Sequence, residues 1–268
     1  MMEALAHIET NYGKDKFGIM MDSGAFTVWA KGITINIAEY ADFLLAYNDI
    51  ITVPINLDIV TGSTDAKALE ENAVKGWNNL EYMESRGLNV LHTYHSAEDE
   101  KWLFKLMDNY EYFGISRTGD TGDVKARLDR TFTKLCDNKG KCKWKIHGFG
   151  ITSPTLMLRY PFYSVDSASW IKYGCWGMCI IFVDGKFMSL GMSDRKLTLW
   201  AKRGQHYNNL NKSERRIWDT EMERRGITRD DLQDNRIRDI WNIESFIQFE
   251  DWIKDREILF LPKQTLFG

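Results

Sequence analysis

Cysteine and proline are scarce in this chain, with four of each among 268 residues. The cysteines (Cys136, Cys142, Cys175 and Cys179) follow no regular spacing, which excludes a small disulfide scaffold and predicts reduced thiols. No apolar run approaches the roughly 20 residues that a membrane span needs. Residues 1–7 contain neither a basic region nor an apolar core, so we expect no signal peptide and a cytoplasmic location.

A strong excess of either charge is also absent, because 35 Lys and Arg oppose 38 Asp and Glu. No overall positive field therefore favours a polyanionic partner, and a nucleic acid would have to meet a local basic patch. The content of 44% hydrophobic and 27% charged residues is that of an ordinary globular protein. A chain of this length can bury a large core, and a single α/β barrel of about 250 residues fits it.

Short β-type runs alternate with stretches of helical period between residues 17 and 167. The β-type runs lie at 17–21, 51–58, 88–92, 112–116, 144–148 and 162–166. Between them, apolar residues recur every three or four positions, as at Ile37, Tyr40 and Leu44. Repeated βα units of about 25 to 30 residues are typical of a parallel sheet.

The number of these units favours a (β/α)8 TIM barrel, to which residues 180–183 would add a further strand. The competing architecture is a doubly wound open sheet, which usually has a glycine-rich phosphate turn after its first strand; none appears here. We expect one domain, with a barrel core over 17–190 and a basic segment and C-terminal helices over 191–268 packed on it. Residues 228–231 resemble a helix start of the capping-box type.

Ionisable and polar residues stand where the predicted strands end, which in a barrel is where catalytic groups lie. They are Asp22, Asp58, His92, His95, Ser116, His147 and Asp166. Carboxylates that share one pocket push their pKa values apart, so that one stays ionised while another holds a proton. Such a group of carboxylates and histidines suits nucleophilic and acid–base chemistry at a glycosidic carbon. A magnesium or zinc hydrolase would also use clustered carboxylates and histidines.

Each of these residues also has a structural interpretation. An aspartate after a strand often serves only as a helix cap or in a turn. His92 and His95 are equally compatible with core positions in which the backbone satisfies the ring. The glycines at 148 and 150 are compatible with a simple turn. From the residues alone, the prediction is a barrel with an acidic mouth.

Five short motifs occur at these strand ends. They are Asp-Ser-Gly-Ala-Phe at 22–26, Leu-Asp at 57–58, Gly-Ile-Ser at 114–116, His-Gly-Phe-Gly-Ile-Thr-Ser-Pro at 147–154 and Ser-Val-Asp-Ser at 164–167. In this order they resemble the motifs of the tRNA-guanine transglycosylase superfamily. The likeness is greatest to the phage and bacterial branch that inserts 7-deazaguanines into DNA, and it covers roughly residues 17–170.

The resemblance implies an enzyme, a pentosyltransferase that exchanges guanine in a polynucleotide for a 7-deazaguanine such as preQ0 or preQ1. Asp166 would attack C1′ of a guanosine nucleotide and form a covalent sugar–enzyme ester. Asp22 would carry the proton to the leaving base and from the incoming one. Asp58 would accept hydrogen bonds from the N–H edge of the purine.

The resemblance implies further base-binding residues, namely Ser23, Phe26, His92, His95, Gly114, Ile115, Ser116, His147 and Gly148. Phe26 and His147 would stack on the two faces of the base, which contributes about 1–3 kcal/mol per base. Backbone groups of Gly114 and Ile115 would face the base carbonyl. The implied partners are DNA or tRNA and the 7-deazaguanine base, with no membrane; a homodimer and accessory subunits are both open.

A metal is not expected. The tRNA enzymes of this superfamily carry a Cys-x-Cys-x-x-Cys…His zinc site after the nucleophile. The corresponding region here retains Cys175, Cys179 and the distant His206, one thiolate short of four ligands. We therefore predict no cofactor and keep these three residues as the zinc candidates.

A basic segment over residues 195–216 is the predicted nucleic-acid contact, with Arg195, Lys196, Lys202 and Arg203 as its phosphate-binding residues. A solvated surface stretch explains the same pattern. Three alternative functions stay open: modification of tRNA, a nucleoside or glycoside hydrolase that uses the same carboxylates, and a nucleic-acid-binding barrel without catalysis.

Overall fold

The computed structural model describes residues 18–116, 123–151 and 153–262, with the side chain of Phe26 left out. Its contacts divide the chain into two compact units. The first unit contains the chain up to residue 149, residues 162–164 and the chain from 260; the second contains 150–161 and 165–259. The single domain with a barrel core over 17–190 stays a prediction.

Short strands form the centre of the first unit. They are β1 (Ile19–Met21), β2 (Ile51–Pro54), β3 (Thr93–His95), β4 (Tyr112–Ser116), β5 (Lys145–Gly148) and the first residue of β6 (Ser164–Val165). β1 pairs with β2, β3 with β4 and β4 with β5, all in parallel. A parallel bridge between Ile55 and Leu91 continues the order from β2 towards β3. The predicted parallel arrangement of sequential strands is confirmed, and closure into a TIM barrel stays a prediction.

Five helices are described in the first unit, and all but the first lie where the apolar period predicts them. They are α1 (Ala25–Ala30), α2 (Ile37–Ala46), α3 (Ala66–Ser85), α4 (Glu100–Asn109) and α5 (Val124–Leu135). Four of them begin after Asn36, Asp65, Asp99 or Asp123, whose side chains accept hydrogen bonds from backbone N–H groups of the first turn. These caps satisfy donors that have no partner inside the helix.

The core of the first unit lies between these helices and the strands. Leu80, Leu103, Phe113, Phe132 and Ile146 are at most 1% exposed. Phe113 and Ile146 belong to β4 and β5, which are buried because helices cover a parallel sheet. Burial of each such side chain stabilises the fold by about 1.5–3 kcal/mol.

The second unit combines helices with an antiparallel hairpin. Its elements are α6 (Pro154–Met157), α7 (Ser169–Cys175), β7 (Met178–Val183), β8 (Lys186–Gly191), α8 (Leu197–Ala201), α9 (Lys212–Arg225) and α10 (Asn235–Ile253), with 3-10 turns at Asp194–Lys196, Tyr207–Asn209 and Asp231–Gln233. Trp241 and Ser245 of α10 both donate to the carbonyl of Ile180, and Asn242 accepts from its N–H. Side chains of α10 thereby satisfy the polar backbone of β7.

Three expectations about secondary structure need correction. Residues 180–183 lie in a strand, but it pairs antiparallel with β8 because the two turn residues, Asp184 and Gly185, have positive φ angles of 49° and 77°. The strand predicted over 88–92 lies instead at 93–95, and within the predicted run Leu91 forms an isolated bridge. Thr228 and Asp231 exchange the expected capping hydrogen bonds, yet the element that follows is a short 3-10 turn.

Within the described ranges, none of the helices combines the length and the apolar character that crossing a membrane would require.

Candidate functional site

Asp58 and His95 form the centre of the candidate site in the first unit. Asp58 follows β2, and His95 ends β3. The Oδ2 atom of Asp58 lies 3.4 Å from Nε2 of His95, and the two side chains are only 15% and 12% exposed. Burial disfavours a charged His95, but the charge of Asp58, its hydrogen bond and the charge of Glu98 outweigh this and raise the pKa of His95 to about 9. His95 is therefore protonated at neutral pH.

Two polar atoms of this ion pair have no hydrogen-bond partner among the described residues. They are Oδ1 of Asp58 and Nδ1 of His95, both buried. A buried polar atom without a partner costs about 1–3 kcal/mol, so such atoms are candidates for ligand contacts. The pair therefore offers one acceptor and one N–H donor that the described residues leave unused.

Glu98 adds a second carboxyl group beside His95. Its Oε2 atom accepts a hydrogen bond of 3.2 Å from the backbone N–H of His95. Burial raises the pKa of Glu98 to about 7, against the opposing charge of His95. A recess of about 20 Å3 beside His95 and Glu98 has room for roughly one water molecule. It admits a single polar atom of a ligand, but not a ring.

His92 lies in the core, 5% exposed, although the sequence also offered it as a ligand contact. Asn56, which is fully buried, donates one amide N–H to the carbonyl of Gly76 and lies 2.8 Å from Nδ1 of His92. Trp77 packs against the ring edge at 5.0 Å between centroids. Burial lowers the pKa of His92 to about 4, so the ring is neutral and its Nδ1 accepts from Asn56.

Asp22 follows β1 and is exposed. Burial is the main cause that raises the pKa of Tyr40, and the charges of Asp22 and Asp58 raise it further. The Tyr40 hydroxyl donates to the carbonyl of Ile55 at 2.8 Å. The structure thus brings two of the predicted aspartates within electrostatic reach of one phenol.

The motif after Asp22 forms a tight turn into α1. The Ser23 hydroxyl accepts a hydrogen bond of 3.4 Å from the N–H of Ala25. Gly24 has a φ of 74°, which a residue with a side chain adopts at a cost. Phe26 lies in α1, and its side chain is outside the described residues, so its stacking role stays a prediction.

The strand ends of β4 and β5 lie side by side with β3. Ser116 is the register neighbour of His95, and Gly114 that of His147. Gly114 N–H donates to the carbonyl of His92, and the carbonyl of Ile115 accepts from Phe149. A Cβ atom at Gly114 would lie 2.4 Å from Cε2 of Phe149, so the strand needs glycine there.

His147 is 2% exposed, and Gly148 beside it is also buried. Its Nδ1 atom lies 2.8 Å from the hydroxyl of Ser164, which in turn lies 2.9 Å from that of Tyr112. The ring meets Phe149 edge to face at 4.4 Å. His147 therefore packs and hydrogen-bonds within the first unit, and its stacking on a base stays a prediction.

Asp166 belongs to the second unit and is exposed. Its Oδ1 atom accepts a hydrogen bond of 2.9 Å from the backbone N–H of Gly150, which has a φ of 67°. The bond orients the carboxylate and links the 147–154 motif to the 164–167 motif. The predicted convergence of Asp22 and Asp166 on one sugar stays a prediction.

The predicted basic contact is partly exposed and partly buried. Its four cations (Arg195, Lys196, Lys202 and Arg203) are exposed. Trp200, by contrast, is 7% exposed and donates to the carbonyl of Trp176, and His206 is fully buried. These two rings are unavailable for stacking on a base in this arrangement.

The zinc candidates do not form a cluster. Cys175 is exposed, Cys179 is buried, and burial raises the pKa of Cys179 to about 12. Nδ1 of His206 accepts from the N–H of Asn208. Across the part of the chain that the structure describes, no group of three or more His, Cys, Asp or Glu side chains is arranged to hold a metal.

A comparison with protein-family models matches none of them, and a comparison with curated protein sequences finds no match either.

Sequence reasoning identified Asp58 and His95 but missed Asn56, Tyr40 and Glu98. Asn56 carries a signal, because it interrupts the apolar run before Asp58. Tyr40 appears in the sequence only as part of a helical face, and Glu98 as one acidic residue in a polar loop. Their contacts depend on other segments of the chain, which local patterns do not reveal.

Proposed function

We propose that this chain is a base-exchange transglycosylase of the cytoplasm that replaces guanine in DNA with a 7-deazaguanine such as preQ0 or preQ1. The observation that carries the proposal is the buried pair of Asp58 and His95, whose Oδ1 and Nδ1 atoms lack partners among the described residues. The five motifs in family order support the same activity.

The open atoms of this pair match the edge of a guanine. Guanine presents a carbonyl acceptor at O6 next to N–H donors. Asp58 Oδ1 accepts from the N–H edge, and the protonated His95 donates from Nδ1 to O6. A 7-deazaguanine has the same edge, so the same two atoms serve the outgoing and the incoming base.

The exchange proceeds in two displacements at C1′. A carboxylate oxygen of Asp166 forms a bond to C1′ as the bond to N9 of guanine breaks, and Asp22 in its acid form gives a proton to the leaving base. The incoming 7-deazaguanine then loses its N9 proton to Asp22, bonds to C1′ and releases Asp166. Two inversions give net retention.

The exposure of Asp166 and Asp22 suits a polymeric substrate, because the nucleotide must reach the carboxylates from solution. In a duplex, the target base must leave the stack, which costs a few kcal/mol. The exposed cations Arg195, Lys196, Lys202 and Arg203 offset part of this cost through contacts with phosphates.

Incorporation of a labelled base tests the proposal. The protein is incubated with double-stranded DNA or tRNA and labelled guanine or preQ0, and label in the polynucleotide is counted. We expect incorporation into DNA that Asp166→Ala abolishes. Asp42→Asn, which removes an exposed carboxylate on α2, is the matched control and should retain exchange.

The same assay separates the alternatives. Release of base without incorporation would identify a hydrolase, and label in tRNA rather than DNA would identify a tRNA-modifying enzyme. Binding of DNA without reaction in the parent protein would contradict catalysis altogether.

A further inference from the structure

A polar cavity lies in the first unit, and Glu98 belongs both to its wall and to the recess beside His95. It has a volume of about 210 Å3 and is lined by the loop after β3, by the start of α4 and by α5. Pockets for drug-sized ligands are usually about 300–1,000 Å3, so this cavity suits a smaller group.

Three cations of α5 line this cavity. Arg127, Arg130 and Lys134 stand at spacings of three and four residues, which places them on one face of the helix. The guanidinium of Arg130 makes no hydrogen bond or ion pair with the residues that the structure describes. Arg127 donates from Nη1 to the carbonyl of Ser96 at 3.3 Å, so its head lies at the cavity wall.

The two carboxyl groups of the lining already have positive partners. Glu100 forms an ion pair of 2.9 Å with Lys134. Glu98 accepts from the backbone of His95 and lies beside the charge of that ring. The charge of Arg130 is therefore not paired with a carboxyl group of the cavity wall.

The Ser96 hydroxyl supplies an independent observation. Its Oγ atom is buried and has no hydrogen-bond partner among the described residues, although Ser96 lines the cavity. A buried hydroxyl without a partner costs free energy, and a ligand oxygen would remove that cost.

We infer that this cavity binds a phosphate group, held by Arg130 and Arg127 and by a hydrogen bond from Ser96. Arginine matches the oxygens of phosphate with paired N–H donors, and the small volume excludes an attached nucleoside from the cavity. The phosphate is either free inorganic phosphate or a phosphodiester of DNA. This inference does not rest on base exchange, because it concerns binding alone.

Calorimetric titration of the full chain with inorganic phosphate tests the inference at constant ionic strength. We expect saturable binding that Arg130→Gln weakens at least about tenfold and Ser96→Ala weakens several-fold. Lys125→Gln removes the same charge from the opposite face of α5 and should change the affinity by less than about twofold. Circular dichroism confirms that each variant is folded.

Two results would overturn the inference. One is the lack of saturable phosphate binding at millimolar concentration. The other is an equal loss of phosphate affinity in Arg130→Gln and Lys125→Gln. That result would indicate that phosphate responds only to the overall positive charge of the helix.

A second titration, with single-stranded DNA that lacks terminal phosphates, shows whether the bound phosphate group is the free ion or part of DNA. If Arg130→Gln also weakens DNA binding and phosphate competes with DNA, the site takes a phosphodiester. If DNA affinity is unchanged while phosphate binding is lost, the site takes the free ion. Because Asp166→Asn should bind phosphate normally, failure of base exchange and failure of this site are distinguishable.

Discussion

The Nε2 atom of His95 lies 3.4 Å from Oδ2 of Asp58, so that the end of β3 and the segment after β2 share one buried ion pair. Neither residue is a neighbour of the other in the chain. The pair fixes a positive charge and a negative charge at the place to which the proposed function assigns a purine edge. The properties of the candidate site therefore depend on keeping both partners.

Replacing Asp58 by asparagine should lower the pKa of His95 from about 9 to below its ordinary value of 6.5. Burial opposes the charged ring, and the carboxylate of Asp58 is the main group that overcomes it. A titration of the His95 ring by NMR measures the change. In the control variant Asp42→Asn, the pKa of His95 should stay near 9. If it also stays near 9 in Asp58→Asn, the raised pKa is due to Glu98 instead.

Stability should decrease as pH rises through about 9. The pKa of His95 is higher in the folded chain than in the unfolded one, so its contribution is complete below pH 6.5 and is lost as pH rises through about 9. The loss is on the order of 3 kcal/mol. Urea unfolding at pH 6.5 and pH 9.5 measures it, and a His95→Gln variant that kept the same pH dependence would refute the assignment.

Asp166→Asn should abolish base exchange, at least about a thousand-fold, while the fold is retained. The asparagine oxygen can still accept the N–H of Gly150, so the melting temperature should fall by less than about 2 °C. Mass spectrometry of trapped protein on DNA measures the covalent adduct. An adduct formed by this variant would place the nucleophile elsewhere.

Gly114→Ala should destabilise the first unit by about 1–3 kcal/mol, because the new methyl group would overlap the ring of Phe149. Gly76→Ala is the matched control: its Cβ would lie 3.5 Å from His92, an ordinary contact, inside α3. Alanine favours a helix over glycine, so this variant should be neutral or more stable. Denaturant unfolding compares the two, and equal effects would contradict the close approach of Phe149.

Neutralising Lys202 and Arg203 together with glutamine should weaken DNA binding and reduce the salt dependence of log K by about 2. Both side chains are exposed, so the fold should be unaffected. Fluorescence anisotropy at several salt concentrations measures the slope. The double change Lys67→Gln and Lys75→Gln on α3 is the control, and an unchanged slope in the first variant would remove these residues from the interface.

Much of the fold could be predicted because its signals are local. The apolar period locates α2 to α5, and Asn36, Asp65 and Asp123 cap helices through bonds to residues two or three positions away. The direction of β7 and β8 could not be read in the same way. An apolar run fits a parallel strand and an antiparallel one equally, and the decision depends on which segment provides its partner.

The two histidines around β3 show which properties local patterns specify and which depend on contacts between distant segments. The sequence indicated that His92 and His95 stand near the end of a short strand. It did not determine their charge. Burial beside Asn56 lowers the pKa of His92 to about 4, and the carboxylate of Asp58 raises that of His95 to about 9. Protonation follows from solvent exclusion and from charges on distant segments, and only the folded chain brings these together.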